Sequence, residues 1–120
     1  MPQEVIVMGL RITHLGSGSR GNSTLLESEN CKVLIDCGFS LKQTERRLSR
    51  ISIEPREIDA IFVTHHHGDH SKSALKASQK WGSRLYCNLE TAMKLGWNPI
   101  SDCRTFGNLE RINIHDKISV

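Results

Sequence analysis

Apolar and polar residues alternate along the first third of the chain, and this alternation predicts strands. It runs through residues 10–15 and is broken by a segment rich in glycine and serine at residues 16–23. Two shorter runs follow at residues 24–27 and 32–36, separated by a polar turn. Such alternation places successive side chains on opposite faces of a strand. We therefore expect a meander of short strands in this part of the chain.

Helical spacing of apolar residues follows in three segments. The first begins after Ser40, where Gln43 stands three positions later in a capping-box pattern. The second spans residues 71–81 and ends before a glycine, and the third spans residues 89–95 behind Asn88, a good N-cap residue. These signals predict three helices, each with a recognisable beginning or end.

A nearly continuous apolar run at residues 58–64 is typical of a strand that is buried on both faces. Further short strands are expected at residues 84–87, 102–106, 109–114 and 118–120. Strands that alternate with helices argue for a layered α/β fold. A length of 120 residues allows one domain at most.

The composition is that of an ordinary globular domain, with 38% hydrophobic and 24% charged residues. A net charge of +3 favours an anionic partner slightly but does not by itself indicate nucleic acid. We find no basic leader before an apolar run and no 18-residue apolar stretch, so we expect a cytoplasmic chain without membrane contact. The four cysteines show no C-x-x-C spacing and are expected to be reduced and mostly buried.

The first predicted helix carries a basic face that consists of Lys42, Arg46, Arg47 and Arg50. We interpret this face as solvated, because polar residues normally occupy the outer side of an amphipathic helix. The alternative is contact with the phosphates of a nucleic-acid backbone, which would make the chain a nucleic-acid-binding domain.

The segment Thr64 to His70 carries the strongest chemical signal, the order His-x-His-x-Asp-His. Its imidazoles and carboxylate suit zinc, manganese or iron, and ligands spaced so closely can serve two ions. We expect His65 and His67 to face one ion. Asp69 and His70 would face the second, with Asp69 as the catalytic residue that orients the attacking water. Two such ions would activate a hydroxide for hydrolysis.

The middle histidine of this segment, His66, is expected to point away from the metals because neighbouring side chains alternate in direction. The alternative interpretation is a group of surface histidines that bind nothing. Two observations disfavour it: the segment follows a buried strand, and it contains Gly68 and Asp69 rather than a run of histidine alone.

Three segments in this order resemble the metallo-β-lactamase-fold hydrolases: residues 15–26, 33–40 and 58–70. Their combination is similar to the small bacterial WalJ-like (YycJ-like) branch, which is related to phosphodiesterases and nucleases of this fold. The resemblance runs over residues 10–120, and residues 1–9 are expected to be an N-terminal extension or the start of a first strand. It implies the N-terminal half of a four-layer αββα sandwich, a mixed sheet with helices on one face.

The resemblance implies a metal-dependent hydrolase of the phosphodiesterase or nuclease type that uses the same four ligands. In it, Asp36 and Thr64 would support the metal-binding loop by hydrogen bonds from behind. A simple turn aspartate is the alternative for Asp36. The glycine-serine loop could bind a phosphate, or form an ordinary turn, through four residues: Gly18, Ser19, Asn22 and Ser23.

The resemblance also implies that the site is incomplete in this chain. The complete fold binds two divalent metals, zinc or manganese, with later ligands from a second half, and this chain would bind one or none. His115 and Asp116 are interpreted as turn residues. The alternative function is therefore a truncated, catalytically incompetent metal-binding or interaction module. The uncovered apolar face of the sheet would favour a homo-oligomer or association with a separate second half.

Overall fold

A computed structural model of the chain describes residues 3–7, 9–16, 21–106, 113–115 and 118–119. Asp69 lies within a described helix, but its side chain is outside the described part. In the described helices, no segment is long and apolar enough to cross a membrane.

Seven strands form one mixed sheet, in which spatial order follows chain order. Their bounds are β1 Gln3–Val7, β2 Leu10–Gly16, β3 Ser23–Glu27, β4 Lys32–Ile35, β5 Ala60–Phe62, β6 Arg84–Asn88 and β7 Arg104–Phe106. Strands β1 to β4 pair antiparallel, which confirms the predicted meander, and β4 to β7 pair parallel. A separate antiparallel pair consists of β8 Asn113–His115 and β9 Ile118–Ser119.

The helix bounds are α1 Leu41–Arg50, α2 Gly68–Ser71, α3 Ala74–Trp81 and α4 Leu89–Leu95, with a short 3-10 turn at Pro55–Glu57. Two of the helices, α1 and α4, begin where the sequence predicts. The Ser40 hydroxyl accepts a hydrogen bond from the Gln43 N–H at 3.2 Å, and the Asn88 side chain accepts one from Thr91 at 2.8 Å. Both side chains therefore satisfy N–H groups that have no partner inside the helix.

The helices pack on one face of the sheet, as the fold class requires. Leu34 and Ile61 on central strands join Leu48, Ala77 and other helix residues in one buried cluster. The opposite face holds a second cluster that consists of strand side chains and Cys31, and in it the rings of Phe62 and Tyr86 stack at 4.7 Å. The central strands are thus buried on both faces, in agreement with their continuous apolar sequence.

The four cysteines are free and buried, as predicted. Burial raises the pKa of Cys31 to about 11 and that of Cys87 to about 12. These two thiols are therefore protonated at neutral pH, and protonated thiols are poor nucleophiles and poor metal ligands.

The predicted helix at residues 71–81 is wrong in its bounds. It is divided into α2 and α3, because Ser73 leaves the helical conformation between them. The Ser73 N–H donates to the Cys37 carbonyl at 3.1 Å, and the Ser73 hydroxyl donates to the Phe39 carbonyl at 2.7 Å. These bonds tie the break to the loop between β4 and α1.

The basic face of α1 also differs from the sequence interpretation at one position. Arg47 is half-buried: its Nη1 donates to the Leu15 carbonyl at 2.6 Å and its guanidinium lies 4.0 Å from the centre of the Phe39 ring. Lys42, Arg46 and Arg50 are exposed. Arg47 therefore packs against β2 and Phe39, which a purely solvated basic face would not require.

Glu45 links α1 to α3, and the charge of this residue should make the stability of the fold pH-dependent. Hydrogen bonds from Lys80 and then from Trp81 hold the pKa of Glu45 below its ordinary value of 4.5. A lowered pKa in the folded state means that ionised Glu45 stabilises the fold above the pKa of the unfolded chain. That stabilisation disappears as the pH falls through the folded-state pKa.

We expect Glu45→Gln to lower the free energy of unfolding at pH 7 by up to about 1 kcal/mol, because exposed ion pairs contribute little. Glutamine can still accept the Trp81 N–H, so the substitution tests the charge. Urea unfolding at a series of pH values should show the difference shrinking below pH 4.5. A difference that is constant with pH would contradict this role of the charge.

Candidate metal centre

Two neighbouring parallel strands end at the same edge of the sheet, and polar residues follow both. Asp36 comes directly after β4, and residues 64–70, here called the metal loop, come shortly after β5. The Asp36 N–H donates to the Phe62 carbonyl at 2.6 Å, which fixes the end of β4 against β5. Ligand sites in sheets of this kind lie beyond the carboxyl ends of the parallel strands.

The carboxylate of Asp36 accepts hydrogen bonds from two points of the metal loop. Its Oδ1 accepts from the Thr64 N–H at 2.7 Å, and its Oδ2 lies 2.7 Å from the Thr64 hydroxyl and 2.6 Å from Nδ1 of His70. Only 6% of Asp36 is exposed, so water competes little for these bonds. β5 is shorter at both ends than the predicted 58–64, and the bonds explain its C-terminal end: Thr64 turns toward the carboxylate of Asp36 and leaves the sheet.

The backbone of Asp36 is unusual, with φ at +65°. Aspartate and asparagine adopt this left-handed conformation more readily than most residues with a side chain. The conformation accompanies the turn that brings the carboxylate under the metal loop. Sparsely populated backbone conformations of this kind are enriched at functional sites.

Two histidines of the metal loop come together above Asp36. The rings of His65 and His70 lie 4.6 Å apart, and one ligand atom from each of Asp36, His65 and His70 lies within 4.8 Å of the others. His65 Nδ1 is 2.8 Å from the Thr64 hydroxyl, so Asp36 also reaches this ring through Thr64. Two imidazoles supported by a carboxylate fit zinc or manganese.

The contact between Asp36 and His70 determines how this histidine would act. A His70 Nδ1–H that donates to the carboxylate turns Nε2 away from Asp36. Histidines that bind metal commonly donate their second N–H to a carboxylate in this way. The geometry therefore favours Asp36 as the orienting partner of His70 and leaves the imidazole as the ligand.

The other two histidines of the loop lie against each other. The rings of His66 and His67 are 4.5 Å apart, and His67 is the N-cap residue of α2. Reduced hydration, and then the charge of Lys94, lower the pKa of His66, which keeps its imidazole neutral at neutral pH. The Asp69 side chain lies outside the described residues. The expected assignment of His67 and Asp69 to metals stays a prediction.

The metal loop is held by residues that the sequence did not single out. The Cys37 N–H donates to the His70 carbonyl at 2.8 Å, and the Ser71 hydroxyl donates to the His67 carbonyl at 3.0 Å. The Cys37 thiol lies 3.2 Å from the Ser73 hydroxyl. Small polar residues directly after a metal-binding segment are the available sequence signal, but serine is too common in turns for that signal to be specific.

The glycine-serine loop is described at its ends only, and Gly18 and Ser19 lie outside the described residues. Ser23 is buried, and its hydroxyl donates to the Asp36 carbonyl at 2.9 Å. Asn22 Nδ2 lies 3.4 Å from His70 Nε2. In this geometry Ser23 supports Asp36, while Asn22 reaches the histidine pair.

Comparison with known proteins assigns a family to this fold and site. A model of the metallo-beta-lactamase superfamily matches residues 16–116 of the chain. The chain is 33% identical over 108 residues to exodeoxyribonuclease WalJ of Streptococcus pneumoniae, covering 90% of the chain and 38% of that protein. It is 33% identical over 115 residues to exodeoxyribonuclease YycJ of Bacillus anthracis, covering 86% of the chain and 44% of that protein.

A solved structure supports the same fold. The Rm3 metallo-beta-lactamase superposes with a TM-score of 0.74 at 16% sequence identity, covering 90% of this chain and 46% of that one. At this identity the likeness concerns the fold alone. The chain spans less than half the length of each of the three proteins compared here.

Proposed function

The chain belongs to the metallo-beta-lactamase superfamily, and from this premise we propose that it forms the metal-binding part of a hydrolase that cleaves phosphodiester bonds in nucleic acid. The observation that carries the proposal is the group of Asp36, His65 and His70, whose ligand atoms lie within 4.8 Å of one another. The exodeoxyribonuclease names of two relatives support nucleic acid as the substrate class.

Each residue of the group has a separate task in this proposal. Asp36 accepts a hydrogen bond from His70 Nδ1 and so presents Nε2 of His70 to the site. The Thr64 hydroxyl contacts Nδ1 of His65 and orients that ring in a similar way. A divalent ion held by these imidazoles would supply positive charge and lower the pKa of a water molecule. His67 and Asp69 would complete the ligand set, and Asp69 would hold and orient the attacking water. Two ions, zinc or manganese, are proposed for the complete fold.

The sheet face opposite the helices bears on how such a site would be completed. Leu10, Leu26, Ile35 and Phe106 are partly buried hydrophobic residues on the face opposite the helices. A second copy of the chain, or a separate second half, would pack against these partly exposed residues and bring further ligands. The cytoplasmic location expected from the sequence stays a prediction.

The proposed activity can be tested on the purified chain. We expect release of product from bis(p-nitrophenyl) phosphate and from a single-stranded oligonucleotide with added zinc or manganese, and none with EDTA. Replacing both His65 and His70 by alanine removes two ligands. It should lower turnover by more than the roughly 10- to 100-fold loss that follows removal of a supporting hydrogen bond.

His14→Ala is the matched control, because this exposed histidine contacts Thr24 on the sheet and lies outside the metal group. It should leave turnover and metal binding unchanged. Metal binding without turnover under any of these conditions would contradict the proposed activity. That result would support the alternative of a catalytically incompetent metal-binding or interaction module.

A further inference from the structure

A cavity of about 430 Å³ lies beside the metal loop, between the α2–α3 segment and α4. We call it the lysine groove and define it by six of its lining residues: His66, Lys72, Leu75, Lys76, Leu95 and Trp97. Its volume is within the range of small-molecule sites and large enough for one nucleobase. His66 directly follows the ligand candidate His65 in the chain, so the metal loop supplies part of the lining of the groove.

The floor and the rim of the lysine groove differ in chemistry. Leu75 and Trp97 are half-buried and form the apolar floor, and their packing against the main core holds them in position. Lys72 and Lys76 are exposed, and neither forms an ion pair with any residue that the structure describes. In the described part of the lining, no residue is acidic.

Three other lysines of the described part of the chain, unlike Lys72 and Lys76, form ion pairs there. Lys32 is paired with Glu57, Lys80 with Glu45, and Lys94 with Glu90, at 2.9 to 3.4 Å. Among the side chains that the structure describes, none compensates the positive charges of Lys72 and Lys76, which lie at the edge of an aromatic and aliphatic surface. Proteins that bind single strands combine a basic groove for the backbone with aromatic side chains on which bases stack.

We propose that the lysine groove binds a single-stranded nucleic acid, with a base against Trp97 and Leu75 and flanking phosphates at Lys72 and Lys76. This inference rests on the proposed function, since it identifies where the substrate strand would lie beside the metal loop. The groove accepts an unpaired base, because only an unstacked base can enter a cavity of this size. Contacts of this type recognise stacking and charge and carry little sequence preference.

The test measures binding of a fluorescein-labelled oligothymidylate to the whole chain by fluorescence anisotropy, in EDTA so that no cleavage occurs. We expect Lys72→Ala/Lys76→Ala to weaken binding by about ten-fold at low salt. The slope of log K against log salt concentration should fall by about 1.4, since each phosphate contact to a single strand contributes about 0.7. The matched control is Lys42→Ala/Arg50→Ala, which removes the same charge from α1 and should change binding much less.

Trp97 provides a second measurement. Oligonucleotide binding should quench its fluorescence, and Trp97→Ala should weaken binding about five-fold or more, whereas Trp97→Phe keeps a stacking ring and should weaken it less. The buried Trp81 remains in both variants and reports whether they are folded.

Equal losses in the groove pair and the control pair would overturn the proposal, because they would indicate general attraction to a basic chain. Unchanged binding in folded groove variants would overturn it as well, and so would equally tight binding of duplex DNA or polyglutamate. None of these measurements requires a metal ion. The binding role of the groove can therefore be disproved while metal-dependent hydrolysis is observed, and hydrolysis can be absent while the groove binds the strand.

Discussion

Replacing Asp36 by asparagine is expected to lower the affinity of the chain for zinc or manganese by about 10- to 100-fold. The two carboxylate oxygens accept from different donors, Oδ1 from the Thr64 N–H and Oδ2 from His70 Nδ1. An asparagine has one acceptor oxygen, so its NH₂ group must face one of these donors. The metal loop would then lose the contact that orients His70 or the contact that fixes Thr64.

Asparagine is the informative substitution because it tolerates the left-handed backbone at this position. Loss of stability is still expected, about 1 to 3 kcal/mol, for leaving one buried donor unsatisfied. Calorimetric titration with zinc measures the affinity, and urea unfolding measures the stability.

Asp59→Asn is the control for Asp36→Asn, since this exposed aspartate also accepts a backbone N–H, that of Lys32, but lies away from the metal loop. It should leave metal affinity unchanged. Equal metal affinity in Asp36→Asn and the unsubstituted chain would show that the carboxylate does not orient the ligands, and the proposed role of Asp36 would have to be abandoned.

The largest effect on stability is expected for Phe39→Ala, which should lower the free energy of unfolding by about 3 to 5 kcal/mol. Phe39 is 6% exposed, and the Arg47 guanidinium lies against one side of its ring. The ring also fills the space where a Cβ at Gly16 would stand, 2.3 Å from such an atom. Phe39 and Arg47 thus hold the end of β2, where the glycine-serine loop begins.

A double-mutant cycle tests this arrangement directly. Gly16→Ala should destabilise the unsubstituted chain by about 1 to 3 kcal/mol, because the new methyl group meets the ring. In the Phe39→Ala background the same substitution should cost much less, since the ring is gone. Additive effects in urea unfolding would contradict the close contact between Phe39 and Gly16.

The parts of the fold that could be predicted from the sequence depend on neighbours along the chain. The Ser40 and Asn88 caps, the meander and the buried central strand all follow from local spacing, and the structure confirms them. The break at Ser73 and the burial of Arg47 could not be predicted. Both depend on carbonyl groups more than thirty positions away, those of Phe39 and Leu15, which a local pattern does not reveal.

In the candidate site, too, the sequence predicts the local features but not those that depend on distant contacts. Spacing alone identified the histidines of the metal loop, and the family resemblance identified Asp36 as their support. Alternation suggested that His65 and His67 share a direction, whereas the structure brings His65 against His70. Alternation holds along a strand, but the chain enters α2 at Gly68, and a helical turn returns His70 toward His65. The sequence carries no signal for the lysine groove, because its lining comes from α3 and α4, which become neighbours only in the folded chain.

The arrangement of the site also affects how much a metal ion can stabilise the fold. The three histidines of the motif lie within six positions, so the unfolded chain already carries them close together and can chelate an ion. Asp36, by contrast, is 34 positions from His70 and reaches it only after β4 and β5 have paired. A ligand stabilises the native state only by the difference between its affinities for the folded and unfolded chains. The histidines can bind an ion in both states, and Asp36 adds its support only in the folded one, so tight metal binding can coexist with a small rise in melting temperature.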